Sequence, residues 1–102
     1  MIGAAGSAHL VVGEEDTAIA LGSGDVPVLG TPRIVALLEE AAVAAMKGDL
    51  AEGITSVGTH VAVDHVAASP VGASVAAAAV VVEVEGRSVM FRLVAKEGSR
   101  SV

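Results

Sequence analysis

Residues 31–46 read Thr31-Pro-Arg-Ile-Val-Ala-Leu-Leu-Glu-Glu-Ala-Ala-Val-Ala-Ala-Met46. At about 100° per residue, one side of a helix through this stretch is apolar. Its members are Ile34, Leu37, Leu38, Ala41 and Ala45. A hydroxyl at Thr31 followed by Pro32 is a helix start signal, which identifies Thr31 as the N-cap. The pattern therefore predicts one amphipathic helix that begins at Thr31 and ends near Lys47-Gly48.

Glu39 does not fit the apolar stripe or the polar side of this helix. The rest of its face is apolar and consists of Val35, Val43 and Met46. The adjacent Glu40 points to the polar side instead. A carboxylate among apolar side chains needs a partner or a chemical role. Glu39 is therefore a candidate functional residue.

The spacing of apolar residues changes from helical to alternating after the helix. Residues 57–66 alternate as a strand does, and one face carries Val57, Thr59, Val61, Val63 and His65. Ser69-Pro-Val-Gly72 is typical of a turn. Residues 73–85 and 88–96 predict two further strands, joined by the hairpin Glu85-Gly-Arg87.

Two apolar pieces precede the helix, residues 8–12 and 17–21, on either side of the acidic turn Gly13-Glu-Glu-Asp16. They predict a first strand region with a break or hairpin. The order is then strand, helix and antiparallel meander, which indicates an α+β fold with one sheet wrapped against one long helix. A chain of 102 residues is sufficient for one such domain, so residues 1–102 are assigned to a single domain.

Composition and charge argue against several classes of function. Six basic residues against twelve acidic ones give a net charge of −6, so no basic surface for nucleic acid is expected. There is one Phe and no Trp or Tyr, which removes stacking platforms for bases. No apolar run reaches the roughly 20 residues of a membrane span. The chain has no cysteine and no basic segment before its first apolar residues, so a cytoplasmic location is expected.

Three stretches carry a resemblance to a known family: Val28-Leu-Gly-Thr-Pro-Arg33, Ala36-Leu-Leu-Glu-Glu-Ala-Ala42 and Ser56-Val-Gly-Thr-His-Val-Ala-Val-Asp-His-Val-Ala67. They resemble the hot-dog thioesterases, in particular the fluoroacetyl-CoA thioesterase-like family. The resemblance implies a hot-dog fold and hydrolysis of small or short-chain acyl-CoA thioesters. It also implies no cofactor beyond the CoA of the substrate, and a homodimer or higher homo-oligomer.

The resemblance also gives roles to individual residues. In the family a threonine at the start of the helix, a glutamate two turns on and a strand histidine surround the thioester, and these match Thr31, Glu39 and His65. Gly58 matches a glycine that lets the substrate approach the backbone, and Thr59 beside it is the second expected substrate-binding residue. Imidazole is a natural base near neutral pH. The helix N-terminus beside Thr31 offers N–H groups to an oxyanion, whether Thr31 or water attacks.

The chain departs from the family in two places. The fluoroacetyl enzyme carries phenylalanines in the loop before its threonine, where they gate and select the substrate. Here that loop reads Gly22-Ser-Gly-Asp-Val-Pro-Val28, which argues against fluoroacetyl specificity. The family also continues into a final strand beyond Val102, so a sheet without its last strand is expected.

Ordinary structural interpretations stand beside these roles. Thr31 can be a simple N-cap, Glu39 an interface residue or the partner of an arginine, and His65 a buried histidine. A non-catalytic module that binds acyl groups in the same pocket is the main alternative function. A hydratase is a third, although the aspartate and histidine it would need at the start of the helix are replaced by Thr31-Pro32.

No metal site is predicted from the remaining histidines. Alternation sends His60 and His65 to opposite faces of a strand, so they cannot converge on one ion. Surface or dimer contacts are the expected roles of His60 and Asp64. His9 is expected to be structural or exposed to solvent.

Overall fold

One long helix lies across one antiparallel sheet. The computed structural model describes residues 1–102. In chain order its elements are β1 (Ala5–Val11), a 3-10 turn (Glu14–Asp16), α1 (Ala18–Leu21), α2 (Thr31–Ala45), β2 (Ser74–Glu85), β3 (Ser88–Glu97) and β4 (Arg100–Ser101). The strand order is β1-β2-β3-β4 with every neighbouring pair antiparallel, which confirms the predicted α+β architecture. Neither helix combines the length and the hydrophobicity that crossing a bilayer would require.

The apolar stripe predicted for the long helix is the stripe that the structure buries. The buried residues of α2 are Ile34, Leu37, Leu38, Ala41 and Ala45. They belong to one core cluster with the inner face of β2, where every second residue is buried: Val75, Ala77, Ala79 and Val81. Because alanine and valine supply most of this interface, helix and sheet can pack closely.

Gly6 of β1 lies where the strand crosses the helix in close contact. A Cβ added at Gly6 would lie 2.5 Å from the Ala41 carbonyl oxygen and nearer still to the Ala45 nitrogen. Both atoms belong to the backbone of α2, which cannot move aside as a flexible side chain can. Glycine at this position therefore allows β1 and α2 to touch.

The hairpin between β2 and β3 forms at the predicted residues. Glu85 pairs with Ser88, so Gly86 and Arg87 make a two-residue loop. Gly86 has a φ of 58°, a left-handed value that the first loop position of a type II′ turn requires and that glycine adopts without strain.

The second part of the predicted first strand region is helical. The Thr17 hydroxyl accepts a hydrogen bond from the Ala20 N–H at 3.2 Å, and Gly22 follows α1 with a φ of 71°. The prediction of an extended segment at residues 17–21 is therefore wrong. A capping threonine and a left-handed glycine favour a helical turn even over a short apolar run.

The predicted strand at residues 57–66 has no neighbouring strand in the structure. Residues 55–65 make no backbone–backbone hydrogen bond, and the Val66 N–H donates to the Val102 carbonyl at 2.8 Å. Burial alternates only at the end of this stretch, where half-buried residues lie between exposed neighbours. The half-buried residues are Val63, His65 and Ala67. Because a strand needs ladder hydrogen bonds to a neighbour, the prediction of a sheet strand here is wrong for the single chain.

Candidate active site

Thr31 and His65 are in contact although 34 residues separate them in the sequence. The Thr31 hydroxyl oxygen and the His65 Nδ1 are 2.7 Å apart, a hydrogen-bond distance. Thr31 is exposed and His65 is half-buried, so a substrate can reach the pair from solvent. The structure therefore brings together two of the three residues predicted to be catalytic.

Thr31 is the first helical residue of α2, and Gly30 is the N-cap. The Thr31 hydroxyl bonds to His65 and to no backbone N–H. Glycine is an accepted N-cap, and a side chain at position 30 would press on the Ala18 Cα at 3.1 Å. The prediction of Thr31 as the N-cap is therefore wrong by one residue, which leaves its hydroxyl available for a chemical role.

The first turn of α2 has one free backbone donor. The Arg33 and Ile34 N–H groups both donate to the Gly30 carbonyl, at 3.0 and 3.2 Å, and Pro32 has no N–H. The Thr31 N–H makes no backbone hydrogen bond. The helix N-terminus therefore offers an anion a single N–H group, directly beside the Thr31 hydroxyl. The sequence predicted several such N–H groups.

Glu39 lies apart from the other two predicted catalytic residues. It stands eight positions beyond Thr31 on α2, which is about 12 Å along the axis. Its carboxylate takes part in no hydrogen bond or ion pair. Glu39 is exposed, and Val43 on the same face is 58% exposed, although Met46 is buried. Val35, the third apolar residue predicted on this face, is half-buried, so in the single chain Glu39 is exposed beside apolar side chains and is not enclosed by them.

The carboxylate of Glu39 lies against Gly58. A Cβ placed on Gly58 would be 2.5 Å from the Glu39 Oε2 and 3.5 Å from its Cδ, with no other group in contact. Gly58 is one of the two predicted substrate-binding residues. The predicted site thus consists of two separate contacts in one chain, Thr31 with His65 and Glu39 with Gly58.

The remaining polar residues of the segment 55–65, which pairs with no strand, are exposed. Thr59, the other predicted substrate-binding residue, faces solvent, as do His60 and Asp64, and so does His9 on β1. Nowhere in the chain are three or more His, Cys, Asp or Glu side chains grouped so that they could hold a metal ion. The exposure of His60 and Asp64 agrees with the surface position expected for them.

Asp16 anchors the loop before α2, a role that the sequence did not predict. Its two carboxylate oxygens accept hydrogen bonds from the Gly13 N–H at 2.8 Å and from the Arg33 Nε at 3.2 Å. Its carbonyl accepts the Gly30 N–H at 2.9 Å, and the residue is 6% exposed. Asp16 therefore fixes the first turn of α2 and with it Thr31. Arg33, the only arginine in that turn, indicates in the sequence that an acidic partner exists. It does not indicate which acidic residue that partner is.

A sequence model of one enzyme family matches nearly the whole chain. The family is FlK, fluoroacetyl-CoA-specific thioesterase, and the match spans residues 12–102. The chain belongs to this family. The fluoroacetyl-CoA thioesterase of Streptantibioticus cattleyicolor is 41% identical over 71 residues, which make up 70% of this chain and 51% of that protein. The chain thus spans about half the length of this curated relative.

Solved structures agree with membership of the fluoroacetyl-CoA-specific thioesterase family. A phenylalanine-to-alanine variant of FlK, in complex with fluoroacetate and CoA, is 31% identical with a TM-score of 0.91, over 100% of this chain and 86% of that one. A hot-dog-like protein from Thermanaerovibrio acidaminovorans, 24% identical, has a TM-score of 0.88 over 99% of this chain and 75% of that one. The predicted family and the predicted hot-dog fold are confirmed. The roles of Thr31, Glu39, His65, Gly58 and Thr59 stay predictions.

Proposed function

We propose that the chain hydrolyses acyl-CoA thioesters and releases a small acyl group as the free acid and CoA as the thiol. The observation that carries this proposal is the 2.7 Å contact between the Thr31 hydroxyl and the His65 ring, because a nucleophile and its base lie at such a distance. Membership of the fluoroacetyl-CoA-specific thioesterase family supports the same chemistry. A relative that binds fluoroacetate and CoA supports the size of the acyl group and the identity of the carrier.

In the proposed reaction His65 accepts the proton of the Thr31 hydroxyl while that oxygen attacks the thioester carbonyl carbon. The carbonyl oxygen becomes negatively charged and is stabilised by the free Thr31 N–H and the positive end of the α2 dipole. His65 then gives the proton to the sulfur as the carbon–sulfur bond breaks. A water molecule that loses a proton to His65 attacks the acyl ester, and the acid leaves as the Thr31 oxygen regains a proton.

We further propose that the acting species is a homodimer in which each site takes residues from both copies. Glu39 lies about 12 Å from Thr31 along the helix axis and makes no hydrogen bond to His65 of its own chain. A carboxylate that acts on the imidazole must therefore come from elsewhere. The unpaired backbone of residues 55–65 supports a second copy as the source, since free strand edges pair readily with another chain.

Antiparallel pairing of two copies through this segment would bring the Glu39–Gly58 contact of one copy close to the Thr31–His65 contact of the other. A two-fold axis at Ala62 places residue 59 of one copy across from residue 65 of the other, with Gly58 next to residue 59. Glu39 lies against Gly58, so it would approach His65 of the opposite copy and stabilise the imidazolium that forms there. The exposure of apolar side chains on the segment, 83% for Val57 and 46% for Val61, also supports its burial in an interface.

Glu39→Gln is expected to lower kcat about 100-fold, because the amide keeps the shape of the side chain but has no charge or basic oxygen. The measurement is thiol release from fluoroacetyl-, acetyl- and propionyl-CoA. Glu40→Gln is the matched control: Glu40 is adjacent, faces Arg33 at 3.7 Å and should keep the wild-type rate. Wild-type protein that acyl-CoA protects from thermal unfolding, but that releases no thiol, would contradict hydrolysis and favour the non-catalytic binding module.

Light scattering is expected to give twice the mass of one chain for the active species. His65→Ala and Glu39→Ala chains should each be nearly inactive alone. Refolded together in equal amounts, they should recover about a quarter of the wild-type activity, because half of the dimers are mixed and each of these has one intact site. An active monomer, or a mixture without recovery, would contradict the shared site.

A further inference from the structure

We propose that Gly58 is a positioning residue, and that the space left by its missing side chain holds the carboxylate of Glu39. A Cβ at this position would lie 2.5 Å from the Glu39 Oε2 and 3.5 Å from its Cδ. The first distance is too short for any real contact, so a side chain here and the present carboxylate position exclude each other. The inference rests on the proposed function, because it is there that Glu39 takes part in the reaction.

Backbone conformation does not account for glycine at this position. Eight glycines of the chain have a left-handed φ, and Gly58 is not one of them. Packing against backbone does not account for it either: a Cβ at Gly6 would meet the backbone of α2, whereas one at Gly58 would meet only the end of a side chain. Alanine is therefore compatible with the fold at position 58, and its contact with Glu39 is what would change.

Nothing else in the chain holds the Glu39 carboxylate in place. The adjacent Glu40 faces Arg33, but Glu39 forms no ion pair and no hydrogen bond. An exposed glutamate otherwise samples many rotamers of similar energy. The Glu39 carboxylate occupies the open space over Gly58. Any other residue type at position 58 would fill that space with its own side chain. The family resemblance implies that the substrate occupies the space over Gly58. In this chain the Glu39 carboxylate occupies it.

Gly58→Ala is expected to displace the carboxylate and to lower kcat by about 10-fold to 100-fold with a smaller change in KM, since a shift near 1 Å is sufficient for such a loss. In a Glu39→Ala background there is no carboxylate to displace, so the same substitution should change kcat less than about twofold. Val71→Ala is the matched control. Val71 lies in the turn before β2, outside the segment that would pair in the dimer, and is 46% exposed, so kcat and the thermal midpoint should both stay at the wild-type values.

Equal losses from Gly58→Ala in the two backgrounds would show that Gly58 acts on the substrate, and would overturn the proposal. A wild-type rate for Gly58→Ala would also overturn it while leaving hydrolysis intact. Carbon NMR of the glutamate carboxyl groups gives a readout that does not depend on turnover, with the Glu39 signal identified by its loss in Glu39→Gln. Gly58→Ala should shift that signal and Val71→Ala should not. An unmoved Glu39 signal would refute the contact even if the wild-type protein hydrolysed no thioester.

Discussion

His65→Ala is expected to lower kcat for acyl-CoA hydrolysis by about 100-fold to 10,000-fold, the range that general acid–base catalysis contributes. The imidazole is the hydrogen-bond partner of the Thr31 hydroxyl at 2.7 Å, so its removal leaves the nucleophile without a base. KM should change much less, because the proton moves only in the transition state. Thiol release measured over a range of substrate concentrations separates the two parameters.

His9→Ala is the matched control for this prediction. It removes the same side chain from β1, where His9 is exposed and lies outside the segment that would pair in the dimer. Its rate should stay close to that of the wild type. Similar losses in both variants would show that the effect is not specific to the imidazole at position 65. A wild-type rate in His65→Ala would remove the imidazole from the mechanism.

Gly6→Val is expected to destabilise the fold by about 3 kcal/mol or more, at the upper end of what overpacking costs. A side chain at this position would collide with the backbone of α2 at Ala41 and Ala45, so the helix as a whole must move off the sheet. For a domain of about one hundred residues this corresponds to a fall of roughly 15 °C in Tm. Thermal unfolding followed by circular dichroism measures it directly.

Ser7→Val introduces the same residue one position further on β1, with the opposite orientation. Ser7 is exposed and pairs with Ala78 of β2, and valine is well suited to an exposed strand position. The change in its free energy of unfolding should stay within about 0.5 kcal/mol. If Gly6→Val left Tm unchanged, the helix and the strand would not be in the close contact described here.

The helix and the hairpin were predictable because local rules determine both. The spacing of Ile34, Leu37 and Leu38 defines a stripe that only a helix can place on one side, and the structure buries that stripe. Gly86 supplies the backbone conformation that a two-residue hairpin loop requires. Neither inference needs information about the rest of the chain.

Residues 17–21 and Thr31 show where local patterns point to the wrong element. A short apolar run is compatible with strand or helix, and only the Thr17 cap and the glycine after α1 decide between them. At the start of α2 the hydroxyl of Thr31 predicted residue 31 as the N-cap, whereas the N-cap is residue 30. Packing of residue 30 against α1 decides the position of the N-cap, and such packing is invisible in the sequence.

The candidate site was predictable in its residue types but not in its arrangement. Thr31 and His65 were selected through the family resemblance, and their contact spans 34 residues, which no local pattern encodes. The separation of Glu39 from Thr31 follows from helix geometry, because Glu39 lies eight residues further along the same helix. The lack of hydrogen bonds at residues 55–65 could not be predicted either, because an alternating pattern indicates an extended chain without revealing what lies beside it.

The free backbone of residues 55–65 affects how tightly a substrate can bind. Thr31 and Glu39 belong to a helix fixed by the core, whereas His65 and Gly58 belong to a segment without backbone hydrogen bonds. In a single chain such a segment opens at a small free-energy cost, and pairing with a second copy would raise that cost. The apparent affinity is the intrinsic affinity multiplied by the fraction of molecules in which both halves of the site are in place. Residues that only stiffen this segment therefore set the concentration range over which a thioester is bound, without ever touching it.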